Sequence, residues 1–249
     1  MIENIVDVSR WQGNIDADVM LSKGINGMVI RLGSINSVTG IPYTDYLFYE
    51  NVAKFAHEVP CGYYWYFRPC WSGKVQAEFV IDELQKEGIN PNLPVFADVE
   101  SNVKGVSSSL FEDRLNYFLA TITRAGYNAG IYTRGYFWND HIGLGAWAAE
   151  YPLWVARYHL TATHPWNNGF YSKLRPQPWF DYEMWQWSAD GNGLGREYGC
   201  DCDSIDLNRA NFETLEEYYS FANWRPQNVI SPLNEKLDRI IEFIETQKE

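Results

Sequence analysis

The sequence predicts an α/β protein, an irregular TIM-like (β/α)5(β)3 barrel with a C-terminal helical extension. Three observations predict it. Eight short segments read as strands, the first five are each followed by a segment of helical period, and the last three are joined by loops. A chain of 249 residues, 46% hydrophobic and 16% aromatic, can bury one large core of this kind, and fits two small domains equally well. The division expected is a catalytic barrel over residues 1–222, then a linker and an amphipathic helix over 223–249.

Ile5, Val6 and Val8 make the first strand, which carries Asp7; an acid in a buried strand is costly unless paired or used. Asp16 to Gly24 is a short helix with a glycine stop. Met28 to Leu32 is the second strand and holds Arg31, and Tyr43 to Glu58 reads as the helix after it. In the third strand, Pro60 to Phe67, alternation puts Gly62, Tyr64 and Tyr66 on one face and Tyr63, Trp65 and Phe67 on the other. A helix over Ser72 to Glu87 follows, stopped by Gly88. The fourth strand, Leu93 to Glu100, ends in Asp98 and Glu100.

Ser107 to Ala125 forms another amphipathic helix, and Ala129 to Thr133 the fifth strand, with a short helix from Gly135. Leu153 to Tyr158 and Glu183 to Ser188 are the next strands, with a proline-rich surface loop between them. The turn DGNGLGREYG (190–199) reads as a plain connection: no helix pattern follows its glycines, and it lacks the spaced ligands of a calcium loop. Ser204 to Leu207 is the last strand, carrying Asp206, and Asn211 to Ala222 the closing helix. Beyond Pro226 and Pro232, a stripe of Leu233, Leu237, Ile240, Ile241 and Ile244 marks a short amphipathic helix. It must bury that stripe, by folding back on the barrel or by weak self-association.

The chemistry is concentrated at Asp98 and Glu100. Side chains two apart on a strand share a face, with Cα atoms roughly 6–7 Å apart. Two carboxyl groups so placed suit glycoside hydrolysis, one protonating the leaving oxygen and the other stabilising the cation that develops. Alone, a D-x-E also fits a strand that runs into a solvated acidic loop. The barrel changes the weighing. Active sites of such barrels lie at the C-terminal strand ends, where Asp7, Asp98, Glu100 and Asp206 all fall, and mutual repulsion among four acids has to be offset by use. Tyr64, Trp154, Trp185 and Trp187 lie on the same strands and, with Arg31, are the candidates for contacting substrate.

DVSRWQG (7–13), CGYYWYF (61–67), LPVFADVES (93–101), LWVARY (153–158), WQWS (185–188) and IDLNR (205–209), in that order, resemble glycoside hydrolase family 25, the N,O-diacetylmuramidases. The resemblance runs over about residues 5 to 222. It implies an irregular barrel with five helices and hydrolysis of the β-1,4 bond between MurNAc and GlcNAc in bacterial peptidoglycan. It also implies that Glu100 is the acid, that Asp98, Asp7 and Asp206 complete an acidic cleft, and that Tyr64 faces the sugar. A catalytically silent sugar-binding protein and a structural virion protein on the same barrel are the competing readings.

A formal charge of −12 argues against nucleic acid as partner, and no apolar run is long enough to insert in a membrane. The N-terminus has no signal-peptide pattern, so the expectation is a protein made in cytoplasm that reaches the cell wall by phage release or a non-standard route. Cys61, Cys70, Cys200 and Cys202 include no C-x-x-C pair, and neither a metal nor another cofactor is expected.

Overall fold

The computed structural model describes residues 1–101, 105–143, 145–158, 163–166 and 174–224. In chain order its strands and helices are β1 (Ile2–Val8), α1 (Ala17–Ser22), β2 (Gly27–Ile35), β3 (Pro42–Thr44), α2 (Phe48–Phe55), β4 (Cys61–Tyr66), α3 (Gly73–Lys86) and β5 (Val95–Val99). They continue with α4 (Ser108–Arg124), β6 (Ala129–Thr133), α5 (Gly135–His141), β7 (Leu153–Ala156), β8 (Met184–Ser188), β9 (Asp206–Ala210) and α6 (Leu215–Phe221). Eight of the strands close into a barrel, β1-β2-β4-β5-β6-β7-β8-β9 and back to β1. Neighbours are parallel from β1 through β8, whereas β9 runs antiparallel to both β8 and β1.

Alternation along each strand sorts the residues into two cores. Val6, Val8, Met28, Ile30, Tyr63, Trp65, Val95, Ala97, Ile131, Val155 and Trp185 point outward and pack under the helices. Ile5, Val29, Phe96, Tyr132, Trp154, Met184 and Ala210 point inward and fill the barrel. Apolar residues on both faces are what a parallel sheet covered by helices requires. Inside, Phe96 and Trp154 meet edge to face with ring centroids 5.2 Å apart.

Three elements differ from the sequence reading. Tyr43 to Glu58 is not one helix: Pro42–Thr44 is strand β3, paired antiparallel with Gly33–Ile35, and the helix begins only at Phe48. The cause is the length of β2, which runs past the end of β1 and takes β3 as partner on the edge that β1 leaves, while Gly33 and Ser34 stay paired with β4. A Cβ at Gly33 would stand 2.1 Å from the carbonyl oxygen of Tyr43, so the hairpin closes only over a glycine. The last strand starts at Asp206 and runs back down the barrel to Ala210. The closing helix starts late because Thr214 caps it reciprocally with Glu217.

Because β9 descends, the helix that follows it lies across the floor of the barrel. Tyr218 and Ala222 are fully buried there, with Phe212 and Phe221 packed beside them. Gly27, at the start of β2, leaves the space that the Tyr218 hydroxyl occupies, since a Cβ there would stand 2.2 Å from that oxygen. No helix among the described residues is long and apolar enough to cross a membrane. The expected amphipathic helix after Pro232, and residues 161–162 and 167–173 of the long loop, lie outside the described residues.

Candidate active site

At the opposite end, the barrel opens into a cleft of about 240 Å³ lined by Asp7, Tyr64, Asp98, Glu100, Tyr132, Arg134, Trp154, Tyr158, Gln186, Ala189 and Asp206. All four predicted carboxylates are here, together with Tyr64 and Trp154. Asp7 and Asp98 sit near the upward ends of β1 and β5, and Glu100 is the residue after β5 ends. Asp206 reaches the same mouth for the opposite reason: it is the first residue of a descending strand, directly paired with Asp7.

Asp7 is 3% exposed, yet its Oδ2 accepts from Gln186 Nε2 and from Asn208 Nδ2, each at 2.8 Å. Asn208 is itself held by Trp154, whose Nε1 donates to Asn208 Oδ1 at 2.8 Å. Burial pushes the Asp7 carboxyl up to about 6, against the pull of those two amide donors. Asp206 is pushed further, to about 10, by burial first and then by the charge of Asp7. Both shifts favour one proton held between the two carboxyl groups.

Asp98 is 5% exposed, and its Oδ1 is buried with no hydrogen-bond partner. Burial, then the charge of Glu100, hold its carboxyl well above the usual aspartate range. Asp98 lines the cleft, and its carboxyl is short of a donor. Glu100 is more accessible and lies 3.3 Å from the guanidinium of Arg134. The strand register makes that pairing: Asp98 lies beside Tyr132 and Val99 beside Thr133, so the next residues up, Glu100 and Arg134, are neighbours too.

Gln186 ties the far wall together. Its Oε1 accepts from Tyr132 at 2.7 Å and from Tyr158 at 2.9 Å, while its amide nitrogen holds Asp7. Tyr158 also lies under Arg134, with the guanidinium carbon 5.2 Å from its ring centroid. Tyr132, Arg134, Tyr158 and Gln186 were all missed in the sequence. A signal existed for three of them. Tyr132 and Arg134 repeat the spacing of Asp98 and Glu100 on the adjacent strand, and Gln186 has the parity of the inward Met184.

That same parity removes two candidates. Trp185 and Trp187 are not in the cleft: they stand on the outer face of β8, where the Trp185 indole donates to Arg157 O at 2.9 Å and both rings face Arg209. Two residues on either side of an inward glutamine must point outward. Arg31 does not line the cleft either. It is packed over the ring of Tyr66 at 5.5 Å and lies 4.0 Å from Asp45, close enough for its charge to act on Asp98. Among the described residues no cluster of His, Cys, Asp and Glu has the arrangement to hold a metal ion.

The chain is similar to known proteins along most of its length. YegX of Escherichia coli (strain CFT073) is 30% identical over 221 residues, 88% of this chain and 72% of that protein. Lysozyme M1 of Streptomyces globisporus is 30% identical over 198 residues, 75% of this chain and 62% of that protein. Among solved structures, the bacterial lysozyme from Streptomyces coelicolor superposes with a TM-score of 0.70 at 25% identity, covering 89% of this chain and 97% of that one. A family 25 glycosyl hydrolase from Bacillus anthracis gives 0.66 at 21%, covering 89% and 94%, a likeness of fold. The model of the glycosyl hydrolases family 25 matches residues 6–196, from the strand bearing Asp7 to the turn before Asp206, and the chain belongs to that family and is a glycoside hydrolase.

Proposed function

We propose that the protein is a lysozyme that cleaves the β-1,4 bond between MurNAc and GlcNAc in bacterial peptidoglycan. The observation that carries this reading is the Asp98 carboxyl, short of a donor and lining the cleft beside a more accessible Glu100. Both sugars of that polymer bear a 2-acetamido group. Its N–H can donate to the Asp98 carboxylate, while its carbonyl oxygen attacks the anomeric carbon from within the substrate. A donor there supplies the partner that the buried carboxylate lacks and favours its charged form, so the group gains most when the acetamido is polarised. Glu100, on the accessible side, is the general acid that protonates the departing oxygen and then takes a proton from the incoming water.

The remaining groups fit this division of labour. Asp7 and Asp206 add polar groups for sugar hydroxyls, and Tyr64 and Trp154 supply ring surface in the cleft. The similarity to Lysozyme M1 and to the Streptomyces coelicolor lysozyme supports the same substrate. Digestion of purified peptidoglycan, borohydride reduction and mass spectrometry test it. MurNAc is expected at every new reducing end; reduced GlcNAc alone would identify a glucosaminidase and overturn the reading.

A further inference from the structure

The cleft poses an electrostatic difficulty for an acidic sugar. Asp7, Asp98, Glu100 and Asp206 all line it, and among the described lining residues Arg134 is the single cation. Muramic acid differs from its neutral partner sugar by a lactyl ether arm that ends in a carboxyl group. An anion entering among four carboxyl groups needs a counter-charge, and only one is in place.

Arg134 is built to be released to such an anion. Its side chain is 49% exposed, its Nη2 stands 3.3 Å from Glu100 Oε2, and the same nitrogen stands 3.3 Å from the Tyr158 hydroxyl. A charge-assisted bond at full strength is about 2.7–2.9 Å long, so this ion pair is loose. The guanidinium rests on the Tyr158 ring, a contact that leaves its in-plane N–H groups free to turn to another acceptor. Because a guanidinium can only donate, the Glu100 oxygen it faces is an acceptor, whereas the proposed role of Glu100 requires that it donate.

We infer that Arg134 is a specificity-determining residue that binds the carboxylate carried on the lactyl arm of the muramic acid sugar, and that in doing so it leaves Glu100 free to act as the acid. This rests on the muramidase reading above. The same chemistry can come from the arm itself or from the stem peptide attached to it, where the lactyl carboxyl is an amide and the anion lies further out.

Three substrates separate these cases: peptide-free glycan strands with free lactyl carboxylates, the same strands coupled to methylamine so that each arm is a neutral amide, and strands with intact stem peptides. Reducing ends released by wild type, Arg134→Gln and Arg134→Lys give kcat/KM on each. Wild type is expected to prefer an anionic strand over the neutral one by about tenfold or more, the size of a charge-assisted contact. Arg134→Gln should lose that preference, mainly through KM, and Arg134→Lys should keep part of it. Loss on the free-acid strands assigns the lactyl carboxylate, and loss on the peptide-bearing strands alone assigns the peptide; both support the inference. A wild type without preference, or Arg134→Gln with the wild-type preference, overturns it. A wild type that cuts none of the three overturns the muramidase reading and the inference with it.

Discussion

At the floor of the barrel, Tyr218, Phe212, Phe221 and Ala222 close the interior with rings and methyl groups. At the mouth, about one strand length away, the interior ends in Asp7, Asp98, Asp206 and Asn208, all but Asp206 nearly inaccessible. Both ends are built from the same inward positions of the same strands. They differ in what burial does: at the floor it removes apolar surface from water and stabilises, and at the mouth it strips water from carboxyl groups and costs stability. The mouth stays folded because the floor and the outer core hold it. The candidate site lies where the fold is least comfortable.

The largest expected effect that tests this contrast lies in activity. Glu100→Gln should abolish wall lysis, a loss of about 10²-fold to 10⁴-fold, and Asp98→Asn should cost at least about 100-fold, with thermal melts close to wild type in both. Turbidity clearance of purified walls measures the first quantity and calorimetry the second. A Glu100→Gln protein that lyses walls at near wild-type rate would remove Glu100 from its role.

The opposite signature is expected at the floor. Tyr218→Ala should destabilise by about 3–5 kcal/mol, the range for truncating a buried aromatic, while the folded fraction keeps its turnover. Tyr218→Phe sharpens the point, because the Tyr218 hydroxyl is buried without a partner. Its removal should be neutral or stabilising in urea titration. A Tyr218→Phe protein that melts much earlier would show that the hydroxyl has a partner in solution.

The smallest effect belongs to the shared proton. Asp7 and Asp206 titrate near about 6 and about 10 when folded, against 3.8 for an unperturbed aspartate, so the folded protein holds more protons than the unfolded chain across that interval. Stability should therefore fall as pH rises from about 4, through about 6 for Asp7 and towards about 10 for Asp206. Asp206→Asn keeps a donor towards Asp7 and removes the second acid. It should flatten the fall between neutral and alkaline pH and raise the midpoint at pH 8 by about 2–4 °C. An unchanged slope in a melting series against pH would mean that another group sets it.

Much of this organisation was legible in the sequence, and the parts that were not share a cause. The barrel, the D-x-E strand and the clustering of Asp7 with Asp98 could be read because parallel strands under helices are short apolar runs in which an acid stands out. The direction of β9 could not: Asp206 lies at the mouth whether a strand ends there or begins there, and no property of IDLNR says which. The outward Trp185 and Trp187 were misplaced because composition drew attention to rings, while parity, fixed by Met184, pointed to Gln186. Strand β3 was lost in a helical period that only the extra length of β2 overrides. Arg134 is legible only through register, since nothing local to it announces that Glu100 is across the way.

The descending last strand also settles where other things can be joined to this molecule. Ile2, at the start of β1, pairs with Ala210, at the end of β9, so both ends of the barrel's chain emerge side by side underneath it. Chain leaving either of these strand ends therefore starts from the base, on the side away from the opening.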